Sequence, residues 1–211
     1  MPIENQGWEL LVNRVGLQKS GAKTRTYGSY QVFRDGNPVA SLSGFMCETI
    51  GPGDNAVENN GRRIAQGRYP LYTQFGWYRS IGYSLDTQVE GQPPMPAVLL
   101  LDTGNRTGIL VHPAHPPHLY LSSVGCFNPS SPLHADQPMN FWESRARVIA
   151  LINDLRLFAP TAFEQEEITR IPKAWVVVDG EPMDELPDEP GPAEAIVVAA
   201  AAEPPVPSRT T

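Results

Sequence analysis

Apolar and polar residues alternate in short runs along most of this chain, and glycine, proline and pairs such as Asp35-Gly36 separate the runs. Successive side chains on a strand point to opposite faces, so each such run predicts a strand with one face buried. Residues 8–12 read as the first strand. Residues 28–34 alternate up to Asp35-Gly36, a two-residue hairpin signal, and residues 38–42 return from it. Residues 45–50 form the next apolar run, closed by Gly51-Pro-Gly-Asp54. Residues 55–63, ending in Asn59-Asn-Gly-Arg-Arg63, read as an exposed loop, and residues 67–72 resume a strand. Residues 96–102 are apolar enough for a central strand; after the turn at Gly104-Asn105, residues 108–112 pair back against it. Residues 175–178, before Asp179-Gly180, complete the set.

One stretch has a helical period instead. Asn140 stands three residues before Glu143, the spacing of an N-cap with its return carboxylate. Trp142, Val148, Ile149, Ile152 and Leu155 then recur at helical spacing through Phe158, and Pro160 stops the run. The pattern predicts a mainly β protein, a β-rich α+β fold with one main helix. Beyond Gly180 the chain turns acidic and proline-rich around an alanine-rich stretch, with few large apolar groups to offset the entropy of ordering. Residues 1–180 therefore read as the globular domain. Residues 181–211 read as a flexible tail with a marginal helix near 193–203.

Composition narrows the function. With 41% hydrophobic and 18% charged residues, 211 residues suffice for one sizeable core. A formal net charge of -7 argues against a nucleic-acid binder, which shows a basic face. Two cysteines, Cys47 and Cys126, are too few for a disulfide scaffold and are not clustered as zinc ligands. No run is apolar enough for a membrane span, and residues 1–7 have neither the basic start nor the apolar stretch of a signal peptide. The expectation is a chain made in the cytoplasm, with no cofactor and no metal.

The chemistry concentrates in one run. Ile109-Leu-Val-His112 is an apolar triplet that delivers an imidazole at a strand end, and Ser122-Ser-Val-Gly-Cys126 follows. A thiol and an imidazole brought together make a nucleophile and its base. Gly125, without a side chain, lets a substrate carbonyl approach and leaves N–H groups for an oxyanion. Ser122 and Ser123 sit where a hydroxyl could orient the histidine or line that hole. His112, fixed by its strand, is favoured as the base, followed by His115, while His118 reads as solvated and His134 has no evident partner. The prolines between His112, His115 and His118 disfavour a metal site. Cys47, inside an apolar run, reads as a buried hydrophobe. Arg62 and Arg63 read first as a solvated loop and second as receivers of a substrate carboxylate. Tyr69, Trp77 and Tyr78 read as core or edge-strand aromatics that a groove for an extended peptide could use. Asp102 reads as a cap for the turn at Thr103-Gly104.

At these residues the chain resembles the L,D-transpeptidase (YkuD-like) catalytic domain, which carries a histidine at a strand end, a spacer, and a Ser/Thr-x-Gly-Cys turn. The counterparts are His112 and Ser123-Val-Gly-Cys126. Thr26-Tyr-Gly-Ser-Tyr30, Cys47-Glu-Thr49, Gly67-Arg-Tyr-Pro70 and Ile109-Leu-Val-His-Pro113 follow the order of a bacterial and phage branch of that superfamily, over roughly residues 8–158. The resemblance implies a β-sandwich-like fold whose mixed sheet bears both catalytic residues. It also implies acyl-enzyme chemistry on peptidoglycan stem peptides. Cys126 would attack, His112 would move the proton, and the N–H groups of Gly125 and Cys126 would hold the oxyanion, with Ser123 beside them. His115, Arg62, Arg63 and Tyr69 are the candidates for contacting the stem peptide. Val124 and Phe127 stand where the family commonly has histidine and arginine, and Arg62, Arg63 or Arg68 would have to replace that arginine. Relatives without a signal peptide include toxins delivered by type VI secretion, which implies an immunity protein and a secretion component or chaperone as partners. A non-catalytic accessory that keeps the fold is the alternative.

Overall fold

The computed structural model describes residues 2–84 and 89–187. The alternating runs become strands β1 (Trp8–Ser20), β2 (Lys23–Arg34), β3 (Asn37–Glu48), β4 (Gly67–Thr73), β5 (Tyr78–Arg79), β6 (Met95–Pro96), β7 (Val98–Leu100), β8 (Ile109–Val111) and β9 (Asn128–Ser130). The helix α1 (Phe141–Phe158) follows, and β10 (Arg170–Asp179) comes after it. The protein is mainly β with one main helix, as the periodicity predicts. At the expected hairpin, between β2 and β3, Arg34 pairs with Asn37, and Asp35 and Gly36 both take positive φ, 47° and 79°, as a tight turn between right-twisted strands demands. The two runs expected at 38–42 and 45–50 are a single strand, β3.

Eight strands form one mixed sheet in the order β8-β7-β4-β10-β1-β2-β3-β9, with β1 parallel to β10 and the other neighbours antiparallel. Open sheet ends leave N–H and C=O groups unpaired. Here the two ends meet. The His112 N–H donates to the Phe127 carbonyl at 3.0 Å, and the Phe127 N–H donates to the Leu110 carbonyl at 2.8 Å. Val111 and Phe127 thus form a parallel bridge that nearly closes the sheet. The seam falls between the end of β8 and the residue just before β9, where the histidine and the cysteine turn lie.

Alternate residues point inward. Trp8, Leu10 and Val12, Val176 and Val178, and Ile109 and Val111 pack with Val148, Ile152 and Leu155 of α1 in one buried core. Each such side chain contributes about 1.5–3 kcal/mol by leaving water. The Asn140 side chain accepts from the Glu143 N–H at 3.0 Å, so the helix begins where its cap spacing places it. Its inward face differs from the expected one. Phe141, Val148, Leu151, Ile152 and Leu155 are buried, whereas Trp142 is 39% exposed and packs edge-on against Phe141. Phe141 takes the inward position of the first turn, one residue before the Trp142 that the periodicity favours.

Residues 181–186, which composition assigns to the tail, are held against the sheet. The Leu17 N–H donates to the Asp184 carbonyl and the Leu186 N–H to the Leu17 carbonyl, at 2.9 and 2.8 Å, which straps residues 184–186 to β1. Glu181 pairs with Arg14 and Arg63 at 3.0 and 2.9 Å, and Arg14 also pairs with Glu48 at 2.7 Å. Sequence reasoning missed this anchor because the two arginines that receive Glu181 lie far upstream. Residues 188–211, including the expected helix near 193–203, lie outside the described residues.

Candidate active site

β8 carries its residues to two different environments. Ile109 and Val111 enter the main core, while Leu110 faces outward into a cluster with Ala97, Leu99, Tyr78 and Cys126. His112, two residues beyond Leu110, shares that outer face. The Tyr78 ring lies 4.8 Å from the His112 ring and also packs in the cluster that holds Cys126. Thiol and imidazole therefore stand on one face of the seam, under a common tyrosine. His115 lies beside them, with its ring centroid 5.9 Å from that of His112.

The His112 ring is held in one tautomer. Nδ1 lies 2.8 Å from the Pro113 carbonyl oxygen, and a carbonyl can only accept, so Nδ1 carries the proton and Nε2 keeps its lone pair. The Asn128 amide at the start of β9 donates to the His112 carbonyl at 3.0 Å, which ties the strand end across the seam. Burial pushes the imidazole down to about 4; the Pro113 carbonyl works against this, and His115 adds to it. His112 is therefore neutral at physiological pH, as a base must be before it takes a proton.

Cys126 is half-buried. Its Sγ accepts from the Leu110 N–H at 3.3 Å and donates to the Gly108 carbonyl at 3.5 Å. Burial pushes the thiol up to about 11, while the Leu110 N–H and the charge of Arg106 pull the other way. The resting pair is thus a neutral thiol and a neutral imidazole, and not the ion pair that would form if the imidazole alone set the thiol. Among the described residues the backbone N–H groups of Gly125 and Cys126 donate to no acceptor of the chain, so both are available to an oxyanion. A cleft of about 60 Å³ opens beside the sulfur, lined by Arg106, Gly108, Ile109, Val124, Gly125 and Cys126.

Several expected site residues serve other ends. The Ser123 hydroxyl donates to the Cys126 carbonyl at 2.8 Å, and that of Ser122 accepts from the His115 N–H at 2.9 Å, so both hold the turn without touching His112. Gly125 is buried at φ 151°, and a Cβ there would lie 2.3 Å from Arg106 Nη2. The glycine admits a guanidinium. Arg63 is fully buried, donating to the Thr26 hydroxyl at 2.6 Å and to Glu181. It is a structural cation, and neither a solvated loop residue nor a substrate contact. Arg62 is exposed, donates to the Gly51 carbonyl at 3.1 Å, and does not line the cleft. Tyr69 is buried in the main core, its hydroxyl on the Ala65 carbonyl at 2.7 Å. Arg68 pairs with Glu9 and stacks on Trp175, so it does not replace the arginine absent after Cys126.

Two neighbours of the pair are not singled out as site residues by the sequence. Tyr78, read as a core or edge-strand aromatic that a peptide groove could use, covers His112 from the separate β5–β6 ribbon. Arg106 donates to the Val124 carbonyl at 3.0 Å, directly behind the cysteine turn. Its loop is closed by the Thr103 hydroxyl, which donates to the Arg106 carbonyl at 2.6 Å, a capping role expected of Asp102. Its signal was a lone arginine between the turn at Gly104-Asn105 and β8. Exposed His118 and His134 lie apart, Cys47 is sealed beside Tyr27 and Phe45, and among the described residues no group of three His, Cys, Asp or Glu is placed to hold a metal. No helix among the described residues is long and apolar enough to cross a membrane. Comparison with family models, with curated proteins and with solved structures finds no match to this chain.

Proposed function

We propose that this protein is a cysteine acyltransferase of L,D-transpeptidase type, acting on peptidoglycan stem peptides. The observation that carries the reading is the placement of Cys126 and a singly tautomeric His112 on one face of the seam, beneath Tyr78. A donor carbonyl entering the cleft meets Sγ as His112 Nε2 takes the thiol proton. A C–S bond forms, the N–H groups of Gly125 and Cys126 receive the oxyanion, and the C–N bond breaks as His112 returns the proton to the departing amine. Because both groups rest neutral, proton transfer accompanies attack and does not precede substrate. An amine acceptor then yields cross-linked or exchanged peptide; water yields L,D-carboxypeptidase action.

The family likeness of Ser123-Val-Gly-Cys126 after His112 supports the substrate class, and delivery to a rival's periplasm by a secretion system, with an immunity protein in the producer, belongs to the same reading. Purified muropeptides incubated with wild type and Cys126→Ala test it. Wild type should release D-alanine or form new cross-links, and the alanine variant should be slower by about 10⁴-fold or more. Equal product profiles would refute the reading. A second reading, a binding module that keeps the fold without turnover, draws on the elevated thiol, and it predicts that muropeptides bind both proteins alike and leave unchanged.

A further inference from the structure

We infer that Arg106 makes the cleft beside Cys126 a receptor for an anionic group, so that the donor carries a carboxylate next to the carbonyl under attack. The inference rests on the acyl-transfer reading and specifies the charge of its donor.

Arg106 is 5% exposed. Its Nη1 donates to the Asp54 carbonyl and its Nη2 to the Val124 carbonyl, both at 3.0 Å. A guanidinium has five N–H donors, and two neutral carbonyls satisfy two of them without cancelling the charge. Among the described residues no carboxylate lies within 4.0 Å of it. The nearby Asp54 carboxylate accepts from the Ala56 N–H at 2.7 Å and the Asn60 amide at 2.9 Å; these and, last, the charge of Arg106 hold it below the ordinary range, but it makes no ion pair with the guanidinium. Glu58 reaches the cleft rim only through the Thr107 hydroxyl, at 3.4 Å.

A buried cation without a partner is costly. The structural ones in this chain are answered on all sides: Arg14 and Arg63 each have a glutamate, and Arg25 is enclosed by Gln18, the Tyr120 and His134 carbonyls and the Tyr120 ring. Arg106 instead borders open space. The cleft of about 60 Å³ is room for a carboxylate, given that one water occupies about 30 Å³. A Cβ on Gly108 would find nothing within 4 Å, so the entrance above the strand is clear. The same guanidinium acts on the thiol. An anion seated there lies within reach of the nucleophile.

Alkylation tests this without any enzymatic turnover. Iodoacetate and iodoacetamide both join their CH₂ to Cys126 Sγ, expel iodide and release the thiol proton to buffer; they differ in one negative charge. Rates are read by intact mass at about pH 8, with Cys126→Ala as the background for buried Cys47. The iodoacetate-to-iodoacetamide rate ratio of wild type should exceed that of N-acetylcysteine by about tenfold, equivalent to about 1.4 kcal/mol. Arg106→Gln should remove the excess, Arg106→Lys should keep part of it, and raising salt from about 0.05 to about 0.5 M should compress it. A wild-type ratio no higher than that of N-acetylcysteine overturns the inference, as does failure of both reagents to label Cys126. Should Arg106→Gln not fold, the wild-type ratio and its salt dependence decide alone. A high ratio in a protein that transfers no acyl group leaves the anion site standing and removes the acyltransferase reading. Transfer with a flat ratio removes the anion site alone.

Discussion

Two buried arginine regions of this molecule obey opposite rules. Arg14 and Arg63 lie beneath the loop that follows β3, where Glu48 and Glu181 answer their charges and the Ile64 carbonyl and the Thr26 hydroxyl take further N–H groups. Burial works against ionisation of Glu181, but the Gly53 N–H, Arg63 and Arg14 outweigh it and hold its carboxyl below the ordinary range. At the seam, Arg106 is nearly as buried yet holds only carbonyls, and it borders a cleft and a thiol. A neutralised cation ties elements together, whereas an unneutralised one projects its field onto whatever enters. Burial alone does not separate structure from chemistry, and neither does a missing counter-ion, since buried Arg25 has only Gln18, two carbonyls and the Tyr120 ring; a missing counter-ion beside an open cleft does.

The largest effect should come from breaking the paired region. Glu48→Gln leaves Arg14 buried without its main partner, which should cost about 3–5 kcal/mol in urea unfolding. The Cys126 alkylation ratio of the folded variant should not change. A changed ratio would show that the two regions share their charges, and would break the comparison.

Acid should find the seam before it finds the arginine cluster. His112 titrates at about 4 when folded and near its ordinary 6.5 when unfolded. Between those values the unfolded chain binds the extra proton, so stability is fully present above about pH 6.5 and falls as pH drops toward 4, by up to about 3 kcal/mol. Glu181, with a lowered carboxyl, loses its contribution only as pH falls below the ordinary carboxylate range. Urea midpoints at about pH 7 and about pH 5 should therefore differ in wild type and differ less in His112→Gln. An unchanged difference would place the acid sensitivity elsewhere.

The smallest effect sharpens which arginine matters. Arg62 is exposed and bonded to one carbonyl, so Arg62→Ala should move stability by no more than about 0.5 kcal/mol. It should leave both alkylation and acyl transfer from muropeptides as in wild type. A large loss of transfer would restore the role its place in the sequence suggested.

Much of the framework was legible in order and period. Asp35-Gly36 has one low-energy use between alternating runs, Asn140 and Glu143 cap at one spacing, and Ile109-Leu-Val-His112 reads as a strand that ends on a histidine. The Gly-Cys turn that follows is paired with that histidine by the order of the two motifs and by the family they resemble. These signals are local, written in neighbouring residues. Trp142 shows the limit of even a local signal, since the helical period tolerates a stripe shifted by one residue until a neighbour claims the inward site.

What tertiary structure decided were the meetings of residues remote in sequence. That Arg63 is sealed against Glu181, that Tyr69 belongs to the core, and that Tyr78 and Arg106 frame the thiol are contacts between segments far apart in the chain. An arginine's role depends on the charge and solvent around it, and those are supplied by other segments. Hydrophobic period carries no information about which segments arrive. The chain by itself determined the strands, the helix and the pair proposed as nucleophile and base; tertiary packing determined the protonation of Cys126 and His112, their neighbours and the charge of the cleft beside them.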